Sequence, residues 1–255
     1  MIRLWTALFL VWFGALVGRP APFLVYSCPK CGTHLLEKAI HLLTGELALE
    51  ENTGSRRQLI LSKMWQRYPV AHIWPEALLE EVAGRSFKVV LGIRDPRDQI
   101  VSFYHWFRKG EKADFGHPAG LRARMLVNRE RQIDEWITGD LFGFVHPERG
   151  IGKAFDVVSQ LPAGRWHLCK FEDLVGEKGG GDRSRQVDAL RALAHFLEVD
   201  LPDERIEEIA DTLFGGSKTF RKGVMGQYKT FFTPRQIELF AERHSGLMNR
   251  LGYDL

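Results

Sequence analysis

Cysteine is scarce in this chain, with three thiols (Cys28, Cys31 and Cys169) among 255 residues. So sparse and odd a set excludes the disulfide-stapled scaffold of a small secreted domain. Cys28 and Cys31 form a C-x-x-C pair, but no second pair completes a zinc site and no other metal-ligand cluster is evident, so no metal is expected. Long apolar runs are also scarce. Leu4 to Val17 is apolar between Arg3 and Arg19, yet it falls short of the roughly 20 residues that a bilayer span needs. It has the look of a signal-peptide core, although Ala15-Leu16-Val17-Gly18 is a poor cleavage pattern. For residues 1–20 an anchor, an uncleaved signal and a segment packed on the domain all stay open, with membrane association through residues 4–17 preferred. Neither sign of charge dominates, at a formal net +3, and no basic patch interleaved with aromatics supports a nucleic-acid partner. No internal repeat is present.

What remains is an ordinary globular composition, 45% hydrophobic and 26% charged, in a length that suits one large domain over residues 21–255. Phe23-Leu24-Val25-Tyr26 reads as a buried strand. A turn follows at Pro29 to Thr33, and Leu35, Leu36, Ala39, Ile40 and Leu43 then recur at helical spacing. Phe87 to Ile93 and Trp166 to Phe171 read as further strands. Asp95-Pro96 is a helix start, with Asp as N-cap and Pro at the first helical position, and that helix is expected to reach about Trp106. Lys109 to Arg131 reads as a long mobile segment and Gly179-Gly180-Gly181 as a flexible surface loop. Val187 to Leu197, Arg205 to Leu213 and Pro234 to Leu251 complete the helices. Strands alternating with helices predict a single three-layer α/β domain with a mostly parallel sheet, whose ligands sit at the carboxyl ends of the strands.

Three segments carry candidate anion chemistry. Cys28-Pro29-Lys30-Cys31-Gly32-Thr33-His34 lies between strand and helix, where unpaired N–H groups and the positive end of the helix dipole favour an anion. Gly32 allows close backbone approach, Thr33 adds a hydroxyl and Lys30 a point charge. The loop is P-loop-like without being a Walker A sequence, because Lys30 precedes the last glycine. Arg94 leaves the carboxyl end of the second strand, where its fork can grip a phosphate; Ser102, nearly two turns into the helix, reaches the same pocket only if that helix is angled across it. Arg221-Lys222-Gly223, followed by Gly226, makes a compact anion grip. Each segment also has a plainer reading, as a βα turn, a capped helix with surface arginines and a basic surface turn.

In that order, and on strand–loop–helix elements, these segments resemble the family of sulfotransferases that use 3'-phosphoadenosine 5'-phosphosulfate (PAPS). Members carry a loop close to Pro-Lys-Ser-Gly-Thr-Thr, an Arg followed eight positions later by Ser, and Arg-Lys-Gly-x-x-Gly-x-Trp-Lys near the C-terminus. Here Cys31 and His34 replace the serine and the second threonine, Leu35 replaces a tryptophan that stacks on adenine, and Tyr228 replaces the C-terminal tryptophan. Phe171-Glu172-Asp173 stands near the family's Tyr-Glu-Asp. The resemblance implies that Lys30, Cys31, Gly32, Thr33 and His34 hold the 5'-phosphosulfate. It implies further that Arg94, Ser102, Arg221, Lys222 and Gly223 bind the 3'-phosphate, and that Phe171 and Phe214 line the donor site, Phe214 against the adenine. Lys30 would neutralise charge on the leaving group. His72, in Val70-Ala71-His72-Ile73-Trp74-Pro75, stands where members have Thr-His-Leu-Pro and would take the acceptor's proton, a task that suits imidazole.

The implied reaction is in-line transfer of the sulfuryl group of PAPS, the co-substrate, to a hydroxyl or amine on a small-molecule, glycan or lipid acceptor. Trp74, Phe103, Tyr104 and Trp106 suggest a partly apolar acceptor, or equally a core. A kinase-like nucleotide enzyme and a catalytically inactive phosphonucleotide-binding module are the alternatives. PAPS is made in the cytosol, so a cytoplasmic enzyme is expected, membrane-associated if residues 4–17 anchor it. Pro234 replaces the valine of the family's dimer segment, which leaves the oligomeric state open.

Overall fold

The computed structural model describes residues 23–50, 67–71, 87–108, 128–139, 146–215 and 222–255. Its strands are β1 (Phe23–Ser27), β2 (Leu47–Glu50), β3 (Arg67–Ala71), β4 (Lys88–Ile93) and β5 (Trp166–Lys170). The helices are α1 (Thr33–Thr44), α2 (Pro96–Arg108), α3 (Arg129–Thr138), α4 (Lys153–Val158), the single turn α5 (Phe171–Leu174), α6 (Arg183–Phe196), α7 (Asp203–Leu213), the short α8 (Tyr228–Phe231) and α9 (Pro234–Leu251).

The strands form one sheet in the order β2-β3-β1-β4-β5, and every pairing is parallel. A parallel sheet is covered on both faces, and each residue of β1 is accordingly buried. Phe23 and Val25 join Val90 and Cys169 under Leu36 and Ile40 of α1, Leu190 and Leu193 of α6, and Ile206 and Leu213 of α7. Leu24 and Tyr26 join Val89, Leu91 and Ile93 under Ala154 and Val158 of α4 and Leu247 and Leu251 of α9. Each large aliphatic side chain buried in this way contributes on the order of 1.5–3 kcal/mol. The expected three-layer α/β architecture is therefore present. A third, aromatic cluster joins α2, α3, α8 and α9 beyond the sheet, with Phe103 edge-on to Trp136 at 5.2 Å between centroids.

Four local expectations change. β2 and β3 were not legible: one has four residues and the other carries Pro69 at its centre, a strand-breaking signal. Ala71 of β3 nevertheless pairs with Tyr26 of β1. The end of the segment read as mobile is helical from Arg129, with the Asn128 side chain accepting the Glu130 N–H as N-cap; residues 109–127 lie outside the described residues. Gly179 is no part of a free surface loop. It is buried, its carbonyl accepts the Met225 N–H, and a Cβ added to it would stand 2.6 Å from the Gly223 carbonyl oxygen.

From β1 the chain moves to β2 and β3 on one side of the sheet, then crosses to β4 and β5 on the other. The connections leaving β1 and β4 therefore diverge, which opens a crevice at their carboxyl ends, where open α/β sheets bind ligands.

Candidate donor site

The first wall of the crevice is the loop after β1. The Cys31 N–H donates to the Cys28 carbonyl at 3.2 Å, closing a four-residue turn. Lys30 has φ 68°, the left-handed region, which costs an L-residue roughly 1–2 kcal/mol. Its ammonium lies 5.4 Å from the centroid of the Trp106 ring. Gly32, at φ 84°, is the N-cap of α1, and a Cβ there would fall 2.5 Å from the Phe171 ring. Glycine is thus required both by the backbone and by the close approach. The Leu35 and Leu36 N–H groups both reach the Gly32 carbonyl, at 2.9 and 3.1 Å, and the positive end of the α1 dipole together with Lys30 makes an electropositive rim.

The side chains of the loop divide the work. The hydroxyls of Ser27 and Thr33 bond to each other at 2.8 Å in a buried position, tying the end of β1 to the first turn of α1. The His34 Nδ1 pairs with Glu37 on the same helix at 2.9 Å. Cys28 and Cys31 are buried free thiols. Burial, followed by its hydrogen bond with Cys28, pushes the Cys31 thiol well above its ordinary range. That keeps it neutral and works against the redox chemistry that a C-x-x-C pair can suggest. The Gln99 amide on α2 donates from Nε2 to the Pro29 carbonyl at 2.8 Å, bracing the loop from the neighbouring strand's helix.

The second wall follows β4. Ser27 pairs with Gly92 across the β1–β4 ladder, so Lys30 and Arg94 leave adjacent strands, about 4.8 Å apart, at nearly the same level. Asp95 caps α2 as expected, its Oδ1 accepting the Arg97 N–H at 2.9 Å. The Arg94 guanidinium lies 4.3 Å from the Phe171 ring centroid and donates from Nη2 to the Val224 carbonyl at 2.8 Å. Arg94 is 5% exposed, yet its Nε has no hydrogen-bond partner. A buried, unsatisfied cationic donor beside the positive end of the α1 dipole fits an anionic ligand.

Asp98 closes this wall, and its role was not evident from sequence. It is fully buried and accepts the N–H groups of Gly226 and Tyr228 at 2.7 and 3.0 Å, with Arg94 Nη2 at 3.4 Å. The basic C-terminal loop is thereby fastened to α2. Burial raises the Asp98 carboxyl above its usual value, although Arg94 and the N–H donors pull it down. Ser102 lies one helical turn beyond Asp98, half-buried on the same face of α2.

Behind both walls is a polar brace. Glu172 accepts the Asp95 N–H through Oε1 at 2.9 Å and the Tyr253 hydroxyl through Oε2 at 2.8 Å. Arg97 binds Asp95 bidentately and donates to the Asp254 carbonyl at 2.7 Å. Burial raises the Glu172 carboxyl and takes the Tyr253 hydroxyl well above its ordinary range. The last residues of the chain thus support the Arg94 strand end, a part the sequence did not suggest.

The residues expected at the site fall on these elements: Lys30, Cys31, Gly32, Thr33 and His34 on the loop after β1 and the start of α1, Arg94 and Ser102 just beyond β4 and on α2, Phe171 at the start of α5, and Lys222 and Gly223 on the C-terminal loop. Phe171 serves as the floor beneath Gly32 and Arg94. Lys222 is exposed, and Gly223 takes φ 63°. Phe214 is half-buried just beyond α7, whose end is tied to α1 by Lys38 donating to the Thr212 and Gly215 carbonyls. His72 and Arg221 lie outside the described residues. Phe103 and Tyr104 are core residues, whereas Trp106 is half-buried beside Lys30.

Known proteins share this fold. The chain is 23% identical to sulfotransferase 6B1 of Danio rerio over 280 residues, which cover 94% of this chain and 84% of that one. Mouse sulfotransferase SULT7A1, solved in complex with PAP, superposes with a TM-score of 0.59 at 20% identity, over 91% of this chain and 88% of that chain. Retinol dehydratase, solved with androsterone and inactive cofactor PAP, gives a TM-score of 0.57 at 16% identity, over 93% and 82%. Those likenesses establish the fold, and the family model for the sulfotransferase domain matches residues 20–252, so the chain belongs to the sulfotransferase domain family.

Proposed function

We propose that the two walls bind the two phosphates of PAPS and that this chain passes its sulfuryl group to a hydroxyl or amine acceptor. The observation that carries the reading is the register of β1 and β4, which has Lys30 and Arg94 follow adjacent strands at nearly the same level and so supports one shared crevice. When bound, PAPS supplies an activated sulfuryl group on its 5'-phosphate. Lys30 and the N–H groups at the start of α1 meet the 5'-phosphate and stabilise the charge that grows there as the sulfur–oxygen bond breaks. Arg94, Ser102, Arg221, Lys222 and the Gly223 backbone hold the 3'-phosphate, and Phe214 packs against the adenine. Cys31, Thr33 and His34 shape the loop from within.

His72 is the residue we assign as general base. β3 ends at Ala71, paired with Tyr26 of β1, which supports a base emerging beside the phosphate loop. His72 takes the acceptor proton as the new bond forms. The acceptor class is a small molecule with an apolar body, on the support of Trp106 half-buried against the Lys30 ammonium. No helix among the described residues is long and apolar enough to cross a membrane. Residues 4–17 lie outside them, and we assign the domain to the cytosolic side, where the donor is made. Protection of the domain from protease in sealed vesicles would overturn that assignment.

Calorimetric titration with 3',5'-adenosine bisphosphate (PAP), beside AMP and ATP, tests the reading. Tight binding of PAP alone, lost in Arg94→Ala and Arg221→Ala, is the expected result. Preference for ATP, or no binding of PAP, would remove it. Binding of PAP without turnover of PAPS over a panel of phenols, alcohols and amines would instead favour an inactive phosphonucleotide-binding module.

A further inference from the structure

We propose that Gln99 is a positioning residue for Lys30: by holding the Pro29 carbonyl it fixes the peptide plane from which the Lys30 side chain departs. The inference rests on the reading of Lys30 as the cation at the donor's 5'-phosphate. The turn Cys28-Pro29-Lys30-Cys31 is closed by the bond from the Cys31 N–H to the Cys28 carbonyl, and Lys30 has φ 68°. Proline at the second position cannot take a positive φ, so a positive φ at the third position identifies a type II turn. Type II turns favour glycine or asparagine there, because an L-side chain is strained. A type I turn has the same ends and the same closing bond, and it would relieve lysine of that strain.

The two turns differ by a flip of the central peptide, here Pro29–Lys30. The carbonyl of that peptide is the group that the Gln99 Nε2 holds at 2.8 Å. A flip would turn the carbonyl away from Gln99 and carry the Lys30 φ to about −90°, re-aiming its Cα–Cβ bond. Gln99 is itself 1% exposed and sits on the second turn of α2. The start of that helix is fixed through the Asp95 cap and Glu172. Its other amide atom, Oε1, is buried without a partner. A methionine or leucine would fill this place without burying an unpaired oxygen. What glutamine adds here is the bond to Pro29, and through it a type II turn with lysine where glycine would be at ease.

The test uses two probes that differ by one phosphate, PAP and adenosine 3'-monophosphate, titrated into the full chain and into Gln99→Met and Lys30→Met. Gln99→Met is expected to weaken PAP about tenfold, the equivalent of one hydrogen bond, while adenosine 3'-monophosphate stays within about twofold, the size of a negligible free-energy change. Lys30→Met should show the same selective loss. A general packing defect would weaken both probes together; that result, or unchanged PAP affinity in Gln99→Met, overturns the proposal. If Lys30→Met leaves PAP binding intact while Arg94→Ala abolishes it, the assignment of Lys30 itself fails and the positioning role falls with it. Gln99→Asn, one methylene too short to reach Pro29, is the second variant should the methionine chain not fold, and it must show the same selective loss.

Discussion

Asp98→Ala strikes the joint between Arg94 and the C-terminal loop that we propose holds the 3'-phosphate. The carboxylate is fully buried and serves two backbone N–H groups at 2.7 and 3.0 Å and the Arg94 fork at 3.4 Å. Truncation leaves both N–H groups without an acceptor, at ~1–3 kcal/mol each for a buried orphan. It also leaves Arg94 without its carboxylate, and breaking a buried pair in this way costs ~3–5 kcal/mol when one charge stays behind. Against this stands the relief of no longer burying a carboxylate, a cost visible in the raised value of Asp98. With that relief the net loss is ~3–5 kcal/mol, the range for a broken buried pair, a sizeable part of the 5–15 kcal/mol that holds a domain together. Asp98→Asn keeps one acceptor and should lose about half as much. Urea denaturation gives the stability, and PAP titration at a temperature where the variant stays folded gives the site. Affinity should fall further than stability alone explains, because residues 222–228 lose their tether to α2. An Asp98→Ala chain within about 1 kcal/mol of the parent, a typical single hydrogen bond, that binds PAP normally would refute the reasoning.

Three further outcomes follow from the same geometry. Gly32→Ala meets both a left-handed φ and the Phe171 ring at 2.5 Å, so it should destabilise the chain by more than ~2 kcal/mol and abolish PAP binding; adding Phe171→Ala should recover only part of this, because the φ remains. Gly179→Ala drives a methyl into the Val175 side chain and towards the Gly223 carbonyl at 2.6 Å, and it should weaken PAP more than AMP, as read by competition titration. Glu172 has its folded value raised, chiefly by burial, so the stability it contributes is greatest below the ordinary carboxylate value and is lost as pH rises through the raised one. The stability of Glu172→Gln relative to the parent should therefore improve from acid to neutral pH in urea titrations, and a difference independent of pH would contradict the assignment.

The residues proposed to bind the donor's phosphates were legible because they are written in local sequence. Lys30, Gly32 and Thr33 sit in one loop, Arg94 ends an apolar strand, and the Asp95-Pro96 cap announces α2. The supports were hidden for physical reasons. Asp98 looks like any charged residue on an amphipathic helix until the chain returns, more than a hundred residues later, with the N–H groups of Gly226 and Tyr228. Gln99 reads as a neutral surface choice, since its value depends on a carbonyl of another element. Gly179 looked like slack in a glycine run, whereas its missing side chain is what admits the Gly223 carbonyl. β2 and β3 escaped because a four-residue edge strand and a strand containing proline give almost no periodic signal. Only their parallel pairing, which brings Ala71 alongside Tyr26, gives them meaning.

The positions where this chain departs from its family's loop fall on side chains that have local work. Cys31 is buried and its thiol is hydrogen-bonded to that of Cys28. His34 turns its Nδ1 to Glu37. Leu35 packs on the core beneath α1. The positions it keeps are those where substitution is physically closed: Gly32 by its φ and by Phe171, Thr33 by its buried bond to Ser27, and Lys30 as the loop's cation. A loop that grips phosphate mainly with backbone N–H groups can exchange side chains as long as its backbone path is held. Here that path is held from outside, by Phe171 beneath Gly32 and by Gln99 on the Pro29 carbonyl. The tolerance seen in the loop sequence is therefore a consequence of bracing supplied by α2 and the β5–α5 turn, and the fidelity of donor binding is expected to track those braces more closely than the loop's own variable side chains.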